Sequence, residues 1–272
     1  MSIAFLPAGV ADRRQTVGVR SRAASLATLA VSGAIAMAAL APPLEAQSGK
    51  GFLFGPPTGS FTLRGGYALA NAGSAVFSDA ISQLTIDKRD FSSLTWGGDI
   101  SYTPAPRFDI VFDGEVSSSS HGSEFRDFVD NNDRPIEQET KFRRVPLTMG
   151  VRYYLAERGR AVSQFAYIPS RYAPYVGVGA GVMYYRFKQE GDFVDFNTPN
   201  LVVFGATIED SGWTPMAHGM AGVDYTLGPW LALVLEGRYQ WAKAELDPDV
   251  FEGYDKIDLT GFTGTLGFKV RF

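Results

Sequence analysis

The stretch GTLGFKVRF, residues 264–272, closes the chain with an apolar side chain at every second position. Successive residues of a β-strand point to opposite faces, so this spacing places all the apolar side chains on one face. Lys269 and Arg271 fall on the opposite face. The apolar face carries Leu266, Phe268, Val270 and Phe272. The pattern predicts a strand with one face against an apolar medium and the other against a polar one.

The same alternation recurs in seven earlier segments, while helical periodicity is scarce. These segments are residues 60–69, 93–102, 107–116, 144–155, 173–187, 216–227 and 230–241. An even number of segments, each about ten residues long, is typical of strands that cross a membrane at a tilt. We therefore predict an all-β fold: an eight-stranded antiparallel transmembrane β-barrel with up-and-down meander topology.

The connectors between the predicted strands alternate in length. Short turns at 103–107 and 227–230 contrast with long stretches such as 117–143 and 188–213, which we expect to be loops on the other side of the membrane. Residues 156–173 break this rule, because a long connector stands where a short turn is expected. The sequence offers no account of it beyond strands that run past the membrane.

The first 46 residues have the composition of a secretory signal peptide. Four arginines precede a mostly apolar stretch at 26–40, and APPLEAQ follows at 41–47. We predict cleavage after Ala46, which gives a signal peptide over residues 1–46 and a barrel domain over 47–272. The arginines are Arg13, Arg14, Arg20 and Arg22.

The composition excludes several classes of function. The chain has no cysteine, which rules out disulfides, thiol catalysis and thiolate metal sites. Its formal net charge of −4 leaves no basic footprint for nucleic acid. After the signal peptide, no apolar run is long enough for a transmembrane helix.

A soluble barrel of the lipocalin type also alternates, with its apolar face inside. Three features favour the inverted arrangement. The polar faces are rich in small residues, aromatics mark both ends of the apolar faces, and the chain ends on an aromatic residue. Phe262 and Phe272 share one face and lie about 25 Å apart along a tilted strand, which matches the height of a membrane-facing apolar band.

The closing GFKVRF, together with APYVGVGAGV at 173–182 and AGVDYTLGPWLALVLEGRYQ at 221–240, resembles the small outer-membrane β-barrels of the OmpW and OmpA types. The resemblance implies a Gram-negative outer membrane and a C-terminal strand, ending at Phe272, that the barrel-assembly machinery reads. On the OmpW side it implies a lateral route for small hydrophobic compounds.

The polar faces of the predicted strands would line the barrel interior. Their charges are nearly balanced, and buried charges require partners, so we expect an internal salt-bridge network that specifies the barrel. The alternative is a narrow polar path. His218 also lies on this face and is expected to be a hydrogen-bonded interior residue. The predicted network comprises Arg64, Asp99, Asp109, Asp113, Glu115, Arg152, Asp224, Glu236, Arg238, Lys269 and Arg271.

We expect no enzyme activity and no cofactor. The run SSSSHGSEF at 117–125 admits a Ser–His–acid hypothesis centred on His121 and Ser123, and one family of lipid A-modifying barrels carries a His-x-Ser motif. Here Glu124 replaces the asparagine of that family, and a polar loop explains the same residues. The acids available to such a site would be Glu124, Glu137 and Glu139.

Other loop features indicate contacts with the envelope. The acidic stretches 127–135 and 243–258 lack ordered metal-ligand spacing, so we predict no metal site there, although either could bind Ca²⁺ or bridge to lipopolysaccharide through divalent ions. The apolar run Leu201–Phe204 must be covered by folding over the barrel mouth, extending a hairpin or forming a lateral apolar route. Three basic residues could contact lipid phosphates: Lys141, Arg143 and Arg144.

These features predict an integral outer-membrane barrel with a structural role or a porin-like role in small-solute passage. The alternative is an adhesin or interaction barrel that acts through its long outer loops. The expected partners are outer-membrane lipid, lipopolysaccharide and, during biogenesis, the barrel-assembly machinery. We expect a monomer that does not bind nucleic acid.

Overall fold

The computed structural model describes residues 48–49, 52–130, 133–163, 165–195, 202–248, 250–251, 253–254 and 256–272. The predicted signal peptide, residues 1–46, lies outside the described residues, as does Leu201. Within the described part of the chain, no helix is both long enough and apolar enough to cross a membrane.

Among the described residues, thirteen strands, one α-helix and a short 3-10 helix at Lys88–Phe91 make up the fold, and eight of the strands form a barrel. In chain order the elements are β1 (Ser48–Gly49), β2 (Phe52–Leu53), β3 (Gly59–Ala70), α1 (Ala75–Gln83), β4 (Ser93–Ala105), β5 (Phe108–Val129), β6 (Pro135–Tyr154), β7 (Gly159–Ser163), β8 (Ala166–Pro169), β9 (Tyr172–Asp195), β10 (Val202–Thr226), β11 (Leu231–Glu245), β12 (Lys256–Asp258) and β13 (Gly261–Arg271).

The barrel is an antiparallel meander in which each strand pairs with the next barrel strand along the chain. It closes where β13 pairs with β3, from Arg271 opposite Ser60 to Gly261 opposite Ala70. Closure leaves no unpaired edge in this part of the sheet. The prediction of an eight-stranded antiparallel barrel, including pairing of the closing strand with the first, is confirmed.

We call the end that holds Phe272 and the β4–β5 turn the lower end, and the end that holds the β5–β6 and β9–β10 hairpins the upper end. In the lower part of the barrel, the apolar side chains point outward. Leu266 and Leu235 face each other across β13 and β11 and are 53% and 58% exposed. A continuous apolar surface of this extent marks contact with a membrane or a partner.

Aromatic side chains border this apolar surface at both of its ends. Ring pairs form a lower border, with centroids 5.0 Å apart for Phe108–Tyr153 and 5.2 Å for Tyr172–Tyr225. The upper border has the pair Tyr184–Trp213 at 5.4 Å and the pair Tyr239–Trp241 at 4.9 Å. Two such belts are typical of the interfaces of a membrane barrel.

The predicted long loops at 117–143 and 188–213 are mostly strand, so their assignment as loops was wrong. β5, β6, β9 and β10 continue past the upper aromatic border and form two tall hairpins. Above this border the inward face of the sheet is apolar and the outward face is polar, the reverse of the arrangement below it. Inward residues such as Phe142 and Phe187 are buried and apolar, whereas outward residues such as Arg143 and Arg186 are exposed.

The helix α1 explains this apolar upper interior. Val76, Phe77 and Ala80 lie on one helical face and are buried. Phe77 packs edge-on against Phe142 and Phe187, with ring centroids 5.4 and 5.7 Å away. The sequence between β3 and β4, which showed no strand pattern, thus supplies an apolar plug for the upper end.

The unexplained connector at 156–173 folds into a hairpin of β7 and β8 beyond the lower end. Tyr167 of β8 lies opposite Leu53 of β2, and β1 pairs with the other side of β2. The result is a small four-stranded sheet in the order β1-β2-β8-β7. The connector is long because it makes this separate sheet, not because the barrel strands extend.

Candidate functional site: the charged barrel interior

The alternation of each barrel strand turns its polar residues into the barrel, where they meet across the lumen. All eleven side chains of the predicted network are buried. They form two groups that meet at the rings of Tyr154 and Tyr175: a central cluster around Asp113 and Glu236, and a lower cluster around Asp224 and Asp109.

Asp113 on β5 lies between two arginines from distant strands. The guanidinium of Arg64 ion-pairs with Asp113 and, at 2.8 Å, with Asp99. Arg238 donates from Nη2 to Asp113 Oδ2 at 3.1 Å. Glu115 Oε2 lies 3.7 Å from Arg64. The strands β3, β4, β5 and β11 are therefore connected across the lumen as well as around the wall.

Glu236 is the second centre of the central cluster. It accepts hydrogen bonds from Arg238 at 2.8 Å and from the Tyr175 hydroxyl at 2.8 Å. Arg152 Nη2 lies 3.4 Å from Glu236 and 3.6 Å from Asp99, and its guanidinium stacks 4.6 Å from the centre of the Tyr175 ring. Shared carboxylates of this kind offset the cost of burying several charges together.

The lower cluster is organised by Asp224 on β10. Lys269 donates to both of its carboxylate oxygens at 2.7 and 2.8 Å, and the Tyr154 hydroxyl donates at 3.2 Å. Arg271 lies 3.9 Å from the same carboxylate. The polar face of the closing segment GTLGFKVRF is thus anchored to β10 inside the barrel.

Asp109 binds Arg158, a member of the network that was not predicted from the sequence. Its carboxylate accepts hydrogen bonds from Arg158 at 2.9 Å and from Thr103 at 2.6 Å. Arg158 lies in the connector after β6, folds back under the barrel and stacks 4.5 Å from the Tyr154 ring. It supplies a sixth cation against six carboxylates, which removes the imbalance in the predicted set.

The plug at the upper end is held by polar contacts to Asp258. This carboxylate accepts from Asn71 Nδ2 at 2.7 Å and from the Gly73 amide at 3.1 Å. Burial alone would raise the pKa of Asp258, but hydrogen bonds from Thr260, Asn71 and Gly73 outweigh it and hold the pKa below its ordinary value. The carboxylate therefore stays charged at neutral pH and keeps the entry to α1 in place.

The described part of the interior leaves little free space. One cavity near Tyr154, Asp224 and Lys269 at the lower end holds about 10 Å³, and another near Leu84 and Phe193 at the upper end holds the same. A volume of this size fits about one water molecule. The charged side chains of the lower interior and the apolar side chains around α1 are themselves buried, so the described lumen is occupied by charge below and by the apolar plug above.

His218 projects into the interior from β10, as predicted, but the prediction that it is hydrogen-bonded there is wrong. Neither ring nitrogen has a hydrogen-bond partner among the described residues. The imidazole lies against Gly179 of β9, where an added Cβ would come within 2.5 Å of His218 Cε1. The glycine-rich strand at 173–182 makes room for such interior side chains.

The residues of the hypothetical Ser–His–acid site do not assemble. Ser123 Oγ donates to the backbone oxygen of Gln138, and His121 Nδ1 lies 3.8 Å from Asp90. Glu124 and Glu137 face each other across β5 and β6. Within the described chain, no hydrogen bond joins Ser123 to His121.

The acidic stretches also lack a formed site in the part that is described, where no three histidine or acidic side chains group as metal ligands. At 127–135, Asp130 accepts hydrogen bonds from the backbone and side chain of Arg134 and shapes the β5–β6 turn. At 243–258, residues 256–258 pair with β11 as β12. Of the three options for the apolar run at 201–204, its described part follows the second, because Val202 to Phe204 extend the β9–β10 hairpin.

Of the three basic residues expected at the lipid interface, Arg144 was placed wrongly. It points inward, is buried, and donates to the Leu259 backbone oxygen at 3.3 Å. Lys141 and Arg143 point outward just above the upper aromatic border, where Arg143 lies opposite Arg186 and Lys141 opposite Lys188. The even spacing of inward residues on β6 explains why Arg144 falls on the other face.

No protein-family model and no curated protein matches the chain. Its structure resembles solved small outer-membrane barrels. OprG from Pseudomonas aeruginosa is 17% identical with a TM-score of 0.42, covering 80% of this chain and 98% of that one. Neisserial surface protein A is 10% identical with a TM-score of 0.40, covering 79% and 96%. Outer membrane protein W of E. coli is 16% identical with a TM-score of 0.38, covering 79% and 99%.

Proposed function

We propose that this protein is an integral β-barrel of a bacterial outer membrane, exported through a cleaved signal peptide, and that its barrel is a sealed structural anchor rather than a channel. The observation that carries the proposal is the filled interior beneath an apolar outer wall. Ion pairs among buried residues from most of the strands close the lumen, and such networks make a barrel rigid. In this orientation the lower end faces the periplasm and the tall hairpins stand outside the cell.

The sealed interior makes a testable prediction about conductance. The protein inserted into planar lipid bilayers should show no steady ionic current, because neither end of the lumen admits a hydrated ion. A variant in which residues 74–91 are replaced by a glycine–serine linker should also be silent, since the ion-paired clusters around Asp113 and Asp224 remain. Steady current through the unaltered protein would contradict the sealed barrel and restore the porin-like role.

We also propose a lipid partner for the outer wall, namely the phosphate groups of lipopolysaccharide. The facing pairs Arg143–Arg186 and Lys141–Lys188 set like charges opposite each other, which is unfavourable without counter-charge. Three of these four cations have an acidic partner. Glu209 lies 2.7 Å from Arg186. Glu139 lies 2.6 Å from Lys141, and Glu190 lies 2.5 Å from Lys188. Anionic headgroups above the aromatic border would supply the remaining charge.

We expect the double variant Arg143→Glu, Arg186→Glu to retain much less lipopolysaccharide than the unaltered protein after extraction in mild detergent. The matched control is Arg134→Glu, which reverses an exposed charge at the tip of the β5–β6 turn, away from the lipid border. Quantifying co-purified lipid A by mass spectrometry measures the effect. Equal retention by the double variant and the control would remove lipopolysaccharide as a partner of this surface.

A further inference from the structure

The upper half of β10 has a neighbouring strand on one side only. Along its whole length β10 pairs with β9, from Val202 opposite Asp195 to Tyr225 opposite Tyr172. Its pairing with β11 stops at Met216, opposite Ala242. Above that point β11 keeps a partner among the described strands only on its other side, where β12 continues the register of β13. The edge of β10 from 203 to 213 thus faces away from any described strand.

The register identifies which backbone groups lie on this edge. Leu227 donates to Leu231 across the β10–β11 turn, and Thr226 donates to Arg171 on the β9 side. In an antiparallel sheet, the backbone N–H and C=O groups of successive residues point alternately toward the two neighbouring strands. The odd-numbered residues of β10 therefore point these groups toward the β11 side. The β9–β10 register has no shift over this span. The open groups therefore belong to Val203, Gly205, Thr207, Glu209, Ser211 and Trp213.

None of these backbone groups has a backbone partner within the described chain. The other edge of the same tall sheet, on β5, is treated differently. There the chain itself covers the edge: Thr85 donates its amide to the Glu124 oxygen and its hydroxyl accepts from the Glu124 amide, each at 2.9 Å. Arg126 donates to the Ile81 oxygen. One edge is closed by the plug segment, and the opposite edge is open.

The open edge has only part of the protection that usually prevents strand pairing: its charged residues are Glu209 and the inward Asp210, which accepts a hydrogen bond from Tyr185 at 2.9 Å. Exposed edges are commonly protected by lysine, proline or a bulge. Residues 203–213 contain none of these, and the first proline, Pro215, comes only where the edge ends. Gly205 leaves open space beside it, since an added Cβ would meet only Asp192 at 3.8 Å. At Gly205 a partner strand can approach the edge without meeting a side chain of that residue.

We propose that the β10 edge at residues 203–213 binds an extended segment of a partner polypeptide, which adds a strand to the tall sheet. The inward side of the edge carries Phe204 and Ile208, and the outward side carries Thr207 and Glu209. The segment that fits alternates apolar and polar side chains, with its apolar face continuing the apolar interior. Backbone hydrogen bonds supply most of the affinity, so recognition depends on extended conformation more than on one sequence.

The inference goes beyond the proposed function and uses it only to place the partner outside the cell. Binding in detergent does not depend on that placement, so a negative result here leaves the outer-membrane proposal standing. The probe is a fluorescent octapeptide of alternating lysine and valine, added to the full-length protein in micelles. Its control is the same peptide with every second amide N-methylated, which keeps the side chains and removes the donors.

We expect saturable binding of the octapeptide and none of its N-methylated form. Thr207→Pro removes one edge donor without touching the β9 ladder and should weaken binding about tenfold, the equivalent of one or two hydrogen bonds. Thr207→Ala keeps the donor and should bind like the unaltered protein. Amide hydrogen exchange should be fast at the odd residues 205–211, slow at the even ones, and slowed at the odd ones by the peptide.

The proposal would be overturned by no binding of the octapeptide, by equal binding of both peptides, or by equal binding to Thr207→Pro and Thr207→Ala. A dimer that forms through the edge and excludes the peptide would also overturn it, because the occupant would then be a second copy. If Thr207→Pro does not fold, as judged by gel mobility, the comparison between the two peptides and the exchange pattern still decides.

Discussion

Replacing Leu266 with arginine is expected to lower the free energy of unfolding of the barrel in lipid vesicles by about 2–4 kcal/mol. Leu266 lies in the middle of β13, opposite Leu235 on one side and Gly65 on the other, and its side chain is 53% exposed on the apolar wall. An arginine there would have to enter the hydrocarbon region. Urea titration followed by gel mobility of folded and unfolded forms measures the change.

The matched control for Leu266→Arg is Val129→Arg. Val129 is also an exposed apolar residue, at 56%, but it lies at the tip of the β5–β6 hairpin, beyond the aromatic border. An exposed substitution in water changes stability by less than about 0.5 kcal/mol. If both variants were equally stable, the apolar wall would face water, and the membrane assignment would be wrong.

Replacing Asp113 with asparagine is expected to lower the free energy of unfolding by about 3–5 kcal/mol, because a carboxylate shared by two buried guanidiniums is removed. Arg64 and Arg238 both ion-pair with Asp113, and all three side chains are buried. Asparagine preserves the shape of the side chain, so the loss reports the charge. The same urea titration in vesicles measures it.

Two further variants test the cause of that loss. Asp127→Asn neutralises an exposed carboxylate on the upper part of β5 and should leave stability nearly unchanged. Combining Asp113→Asn with Arg238→Gln should recover part of the loss, since one unpaired cation is removed with its partner. A small effect of Asp113→Asn alone would mean that water reaches both arginines and that the lumen is open.

The barrel itself could be predicted from the sequence because its strands keep one phase across the membrane. Val176, Val178 and Val182 alternate with inward residues along β9, and this period of two fixes both the strand and its lipid-facing side. The inward polar positions follow from the same phase. The pairing partners across the lumen do not, because they depend on how eight strands are arranged around the barrel.

The tall upper sheet could not be predicted because the apolar face changes sides along the strand. In β9 the outward residue Tyr184 and the inward residue Tyr185 adjoin, and beyond them Phe187 is inward and apolar while Lys188 is outward. A change of phase within one strand has the same sequence signature as the start of a loop. Their apolar neighbours come from α1 and from the segment after β11, where Phe251 lies 6.0 Å from the Phe187 ring, and neither contact can be read from the strand itself.

The plug and Arg158 were missed for different reasons. The apolar face of α1 rests on three residues in a helix of nine, too short for its period to stand out against the strand pattern. Arg158 lies in a connector whose length indicated only that something other than a turn was present. Its role depends on the fold of β7 and β8, which returns the side chain to Asp109.

That this chain forms a membrane-embedded barrel with its apolar face outward is tested most directly by the gel mobility of unboiled and boiled protein extracted from purified outer membranes. We expect recovery in the outer-membrane fraction and a shift in mobility on boiling, as a detergent-resistant barrel unfolds. Recovery as a soluble periplasmic protein without such a shift would contradict it.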